Sequence, residues 1–510
     1  MSVVTRRAAI GLLAGAACGC ASGPVETLKR LRGPSEDPSA SGKMIDRYTK
    51  RDFDRASLAG EQDRILRLQR AEARYGLLYA PEFHAYLDSV MRRLLVKAPV
   101  PDLPARAVLV TSRDWTPYST PPGLVFVPMK FVEALDDEDQ AAFALSHEIS
   151  HILFRHHDSD WLVKGQKHAI AVGELAMAAQ AAVERRNPKS PVVSPSGMRA
   201  AKAMLTASDK IIAPAWNRTQ EEQADLLGVD IMVAAGYNPQ SALEVLEKLV
   251  KWRKGPGQVY ADAPRDLAKE LAEWSRPAAG KGDPGAQAAL AELQKQLIGV
   301  ISQSSQDLLQ KVSQPYPDPE ERLKLAREYV DREYADLTPP DVSDRPWKSA
   351  RSKPQIREIF QRYEWSFTAM DKLQDHDLRE AERRAQEGLK GFVRTHNFTR
   401  FALAEVYGEL HHSDRVAENL RAALDAPEPA LESSLRLAAL HERANRPRDA
   451  LQVLEAARPK FADHPRMWPD LIRMYRRVGR PAEASQLQLR CQVEFPDFKK
   501  LCDEGAQRPG

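Results

Sequence analysis

Apolar residues recur at helical spacing along most of this chain and give way to β-rich runs at only two short places. From Gln62 to Val100, the series Ile65, Leu66, Leu68 and then Tyr86, Leu87, Val90, Leu94 and Leu95 predicts two helices separated near Pro81. Ala107 to Val110 and Leu124 to Val127, bracketed by Pro and Gly, predict a small sheet beside a helical body. Between Asp136 and Phe154 the pattern is helical again. Asp137 can cap this helix, Gln140 completes a capping-box spacing, and Leu145, Ile149, Ile152 and Leu153 form one apolar stripe. The prediction is a helix buried on one side, with His147 and His151 projecting from the other.

The same reading finds breaks and a repeat further on. Lys254 to Pro284 is rich in Gly, Pro and charge and reads as a surface excursion, whereas Leu337 to Pro354, with four prolines, reads as a domain boundary. Beyond it, Arg446-Pro447-Arg448-Asp449-Ala450 realigns with Arg480-Pro481-Ala482-Glu483-Ala484 at an offset of 34 residues. Ala381, Ala417, Ala450 and Ala484 recur at steps of 36, 33 and 34, and Tyr407, His441 and Tyr475 keep the step of 34. Small residues where two helices touch, at that period, predict an all-α solenoid like tetratricopeptide repeats, a surface for protein partners rather than for chemistry.

Composition narrows the class. A chain of 510 residues is too long for one core, so two or three domains are anticipated. Its 74 basic and 71 acidic residues nearly cancel without long blocks of one sign, which argues against nucleic acid as a partner. The first residues differ in kind: Arg6 and Arg7, the apolar Ala8 to Ala17, and then Ala-Cys-Gly-Cys-Ala-Ser have the layout of a secretory signal. Cys20, preceded by Gly19, stands where a lipoprotein signal places its acylated residue, and Cys18 competes for that role. No Asp follows either cysteine to signal inner-membrane retention, so periplasmic residence with a lipid anchor in the outer membrane is the expectation. In that oxidising compartment Cys491 and Cys502 would either pair or remain two separate thiols.

The chemistry concentrates in His147-Glu148-Ile149-Ser150-His151, an H-E-x-x-H motif. Two imidazoles one helical turn apart can bind a single Zn²⁺ through ring nitrogens while Glu148 addresses a water on the metal. A catalytic zinc takes a third protein ligand. His157 has the spacing of a longer motif, but that motif needs Gly where this chain has Phe154, so the helix is expected to continue and carry His157 off the metal face. Glu221 and Asp225 lie about 70 residues on and four apart, so one helix face can give Glu221 to zinc and Asp225 to a ligand histidine, with Glu222 as a solvated charge. The interval between His151 and Glu221 holds an apolar stretch, Ala169 to Val183, that reads as a lid.

The H-E-x-x-H run, Arg155-His156 just after it, and Asn217-Arg218-x-x-Glu221-x-x-Ala224-Asp225 resemble the membrane-associated zinc metallopeptidases that include the heat-shock protease HtpX and the CAAX prenyl proteases. The likeness covers about residues 62 to 335, and the repeats extend it to those members that join this domain to tetratricopeptide repeats. It implies an α+β zincin-type catalytic domain, mainly α with a small β-sheet, of the gluzincin type. Glu148 is then the general base, and His147, His151 and Glu221 are ligands to one Zn²⁺. Asp225 is the partner of a ligand histidine, and Leu124, Val125, Phe126 and Val127 form an edge strand that pairs with substrate backbone. Tyr316 stands where relatives often carry a histidine, as an oxyanion donor or as plain loop packing.

The anticipated organisation is a signal and lipoprotein segment over 1–22, a flexible tether over 23–61, the peptidase over 62–337 and helical repeats over 355–510. The function that follows is a zinc endopeptidase acting on misfolded or unassembled envelope proteins. The competing reading is a zinc-stabilised chaperone or scaffold that binds assembly partners through its repeats.

Overall fold

The computed structural model describes residues 36–158, 218–254, 318–342, 344–494 and 502–503. Cys18, Cys20, the stretch Ala169 to Val183 and Tyr316 lie outside the described residues. A one-turn helix, α1 (Met44–Arg47), is followed by α2 (Arg55–Glu72) and α3 (Pro81–Lys97). Pro81 opens α3 at a position where a missing N–H costs nothing, and the helix buries Phe83, Leu87, Val90, Met91, Leu94 and Leu95.

Three strands follow, β1 (Arg106–Val110), β2 (Tyr118–Ser119) and β3 (Leu124–Pro128), in the order β1-β3-β2. β1 runs parallel to β3, and β2 folds back antiparallel across the turn at 120–123. Gly123 makes that turn possible: its φ is +93°, and a Cβ there would come within 2.7 Å of the Pro104 carbonyl. Side chains alternate between two buried faces. Leu109, Val125 and Val127 join the main core, while Val108, Val110, Leu124 and Phe126 pack beneath Ile65 and Leu66 of α2.

This topology corrects one expectation. Leu124, Val125, Phe126 and Val127 do not form an edge strand; β3 is the central strand, wholly buried, with Val125 and Phe126 paired on both sides and β2 in the outer position. A run buried on both faces reads the same in one dimension whether it lies inside a sheet or at its margin.

The short α4 (Met129–Ala134) leads into α5 (Glu138–Leu153), which packs against α6 (Arg218–Ala234); α7 (Gln240–Lys254) and α8 (Pro319–Glu333) close the body around them. The residues before Gln62 are not a loose tether throughout. Met44 is fully buried, its N–H donates to the Tyr329 hydroxyl, the Ile45 N–H donates to Asp230 at 2.7 Å, and the Tyr48 hydroxyl donates to the Leu153 carbonyl at 3.0 Å. Residues 36–53 therefore form a strap against the body.

Nor is the proline-dense segment a bare linker. It contains α9 (Asp344–Ser352), whose Trp347 is buried between Phe83 and Tyr86 and donates to the Leu135 carbonyl at 3.1 Å. From there helices come in pairs: α10 (Pro354–Gln374) with α11 (Leu378–Gly388), α12 (Asn397–Glu409) with α13 (Ser413–Leu424), α14 (Leu431–Arg443) with α15 (Pro447–Ala457), and α16 (Trp468–Arg477) with α17 (Pro481–Glu494). Ala381, Ala417, Ala450 and Ala484 are buried, one on the second helix of each pair. Cys491 and Cys502 are joined by a disulfide. Among the described residues no helix is long and apolar enough to cross a membrane.

Candidate metal centre

α5 begins where its sequence says it should: the Asp137 carboxylate accepts from the Gln140 N–H at 2.8 Å, while the Gln140 side chain accepts from the Asp136 N–H at 3.0 Å. Contrary to the one-sided expectation, every residue of α5 except His147 is buried. The polar face is covered because α6 lies directly across it. Gly228 sets the closeness of that crossing, since a Cβ there would stand 3.1 Å from the His147 nitrogen, and its carbonyl accepts from Ser146 Oγ at 2.8 Å.

Across this contact His147, His151 and Glu221 bring one ligand atom each within 4.8 Å of one another. His147 Nε2 and His151 Nε2 are 3.1 Å apart, and each lies 3.7 Å from a Glu221 oxygen. Asp225, one turn along α6, has Oδ1 2.9 Å from His147 Nδ1. Glu222 turns away and pairs with Arg218 at 2.7 Å. α5 does not run on to carry His157 along it. It stops at Leu153, Arg155 adopts φ +53°, and a short turn over His156–Asp158 brings His157 Nε2 to 2.9 Å from the Ser119 carbonyl.

Several contributors escape a reading by motif. Arg322 of α8 is buried, donates to both oxygens of Asp225 at 2.8 Å, and pairs with Glu221. Its signal was an arginine on the apolar face of α8, in line with Ala326, Tyr329 and Val330. Gly228 was visible as a mid-helix glycine, a residue that costs a helix about 1 kcal/mol and so marks a close approach. His156, whose Nδ1 lies 2.8 Å from His151 Nδ1, stood in the sequence without a role.

The electrostatics follow from burial and pairing. Burial by itself raises the Asp225 carboxyl, but the Arg322 guanidinium and His147 overcome it and hold the group down at about 2. Glu148 is pushed up to about 7 by burial, against the opposing pull of His147 and the Ser119 hydroxyl. Among the described residues its Oε2 has no hydrogen-bond partner. Beside it opens a cavity of about 60 Å³ with walls from Trp115, Phe131, Phe143, Leu246 and Leu249 and a polar floor of His147, Glu148 and Glu221.

Two histidines of one helix turn, a carboxylate on a crossing helix and a buried glutamate facing a cleft define the class of metallopeptidases. Residues 81–330 match the sequence model of Peptidase family M48. It is 25% identical over 187 residues to a beta-barrel assembly-enhancing protease of Yersinia pestis, covering 37% of this chain and 36% of that protein. With the protein of the same name from Escherichia coli (strain K12) it shares 23% identity over 180 residues, 34% of each. The chain thus spans about a third of the length of the curated relatives it matches.

Proposed function

We propose that this chain is a zinc-dependent endopeptidase of the bacterial cell envelope, with Glu148 as general base and His147, His151 and Glu221 as ligands to one Zn²⁺. The observation that carries the reading is the meeting of three acceptor atoms with a buried carboxylate oxygen that no group among the described residues satisfies. The donor set fits the ion. Nitrogen and oxygen ligands at 2.0–2.2 Å in a tetrahedron lie about 3.3 Å apart, close to the 3.1 and 3.7 Å separations here. Zinc held by three protein ligands supplies Lewis acidity toward a carbonyl and makes water a nucleophile near neutral pH.

The remaining steps belong to the chain. Asp225, kept ionised by Arg322, holds the His147 ring by its Nδ1, so that Nε2 faces the cation. Glu148, poised near neutrality, takes the proton of the attacking water and passes it to the leaving amine. The apolar walls beside it suit an apolar substrate side chain next to the scissile bond, and Thr116 and Pro117, just before β2, form the rim along which an extended peptide would lie. A structural zinc site has no use for a general base, which weighs against the scaffold reading.

The paired helices with small residues at their contacts support tetratricopeptide-like repeats that bind protein partners, and the domain scheme follows: signal, tether and strap, peptidase, repeats. The N-terminal signal pattern supports export, lipidation at Cys20 and outer-membrane anchoring facing the periplasm. The named relatives support substrates among unassembled envelope proteins. The test is Glu148→Gln in the full chain. Casein hydrolysis should fall by at least about a thousandfold while zinc content stays at one per chain, and retained cleavage would remove Glu148 from the mechanism.

A further inference from the structure

The second imidazole has a line of partners on the side away from Asp225. His151 Nδ1 lies 2.8 Å from His156 Nδ1, His156 Nε2 lies 3.3 Å from Gln223 Oε1, and Gln223 Nε2 donates to the main-chain carbonyl of Glu36 at 2.8 Å. Proton positions along this line are fixed from its far end. A carbonyl only accepts, so Glu36 obliges Gln223 to turn its amide NH₂ toward the strap and its oxygen toward His156. That oxygen also only accepts, so His156 carries its proton on Nε2 and, buried as a neutral ring, offers a lone pair at Nδ1. His151 must then donate from Nδ1. Its lone pair is left on Nε2, the nitrogen that faces His147 and Glu221.

We infer that His156 and Gln223 are positioning residues that lock His151 in its metal-ligating tautomer and orientation, and that the N-terminal strap is a structural part of the metal site. The inference rests on the reading that His147, His151 and Glu221 hold zinc. Both ends of the line are held firmly. Phe154 stacks on the His156 ring with centroids 5.3 Å apart and planes 13° from parallel. At the strap, Glu36 is clasped by Arg51 at 2.8 Å and by the Thr49 N–H at 2.8 Å. The two ligand histidines are thus oriented by different chemistry, His147 by an ionised carboxylate and His151 by a neutral relay.

The test is the Zn²⁺ dissociation constant of the full chain, measured by competition with a chelating indicator, with the thermal melt of each metal-free variant as the check on folding. His156→Phe keeps the ring but removes the acceptor, and affinity should fall roughly 10- to 100-fold. His156→Asn restores an acceptor at the Nδ1 position and should return affinity to within about threefold of the parent, a rescue that a packing role alone does not produce. Gln223→Met, at a half-buried site, should lose about tenfold and decides the matter if His156→Phe does not fold. Folded His156→Phe or Gln223→Met protein that holds zinc as tightly as the parent overturns the inference. A parent chain that binds no zinc instead contradicts the metal-site reading beneath it.

Discussion

The loss of Arg322 strands two buried carboxylates. Arg322 sits buried against both Asp225 and Glu221, two carboxylates that share one face of α6 and repel each other without it. Arg322→Met should destabilise the metal-free protein by about 3 kcal/mol or more, read by urea unfolding, because a buried carboxylate that loses its partner keeps its desolvation cost. Zinc at the proposed site should offset part of that loss, so the deficit should shrink on metal addition. His147, Glu148 and His151 are legible from spacing because one helix turn carries all three. Glu221 and Asp225 are legible as a pair four residues apart, whereas Arg322 shows locally only as an arginine on an apolar face, its partners lying on a helix about 100 residues away.

At the scale of elements, the crossing of α5 on α6 and the entry to α12 carry separate consequences. Gly228→Ala places a methyl 3.1 Å from the His147 backbone nitrogen, so the helices must part by a few tenths of an ångström and the ligand set with them. Its gain in helix propensity, about 1 kcal/mol, opposes the overpacking cost of about 1–3 kcal/mol. A net loss of stability and weaker metal binding should appear together in calorimetry.

At the start of α12, His396 is buried with its Nδ1 3.0 Å from the Tyr363 hydroxyl; burial lowers its pKa from 6.5 to about 4. The folded state holds this ring neutral while the unfolded chain binds a proton. Its contribution is therefore complete above pH 6.5 and is lost as pH falls through 6.5 toward 4, by up to about 3 kcal/mol. Asp230, which burial raises to about 6, acts in the opposite sense: its contribution is complete below pH 3.8 and is lost as pH rises toward 6. Comparison with His396→Asn, which keeps a polar partner for Tyr363, isolates the histidine, and the variant should lose less stability on acidification from 6.5 to 4. Helix order and the two β-runs were readable because period and turn residues are local. The central place of β3 and the docked strap were not, since both depend on which surfaces meet.

Across the whole molecule, the body before residue 337 and the first of the paired helices share one core. Phe83 of α3 meets both Trp347 of α9 and Phe360 of α10, Tyr75 packs on Phe367, Phe398 and Phe401, and Arg70 pairs with Glu428 at 2.7 Å. The composition break at 337–354 marks a change of architecture without a gap in packing. Heating should therefore unfold both parts in one transition, and Trp347→Ala, at a cost of about 3–5 kcal/mol, should lower the melting of both together. Two transitions, with only one moved, would mean independent domains.

The proposed site brings distant helices onto one catalytic cation. Its most direct measurement is the metal content of the purified full chain beside Glu221→Ala, by elemental analysis after dialysis. The expected result is one zinc per parent chain and a folded variant that has lost most of it together with casein hydrolysis. A parent chain without zinc, or a Glu221→Ala chain that keeps both metal and activity, would contradict it.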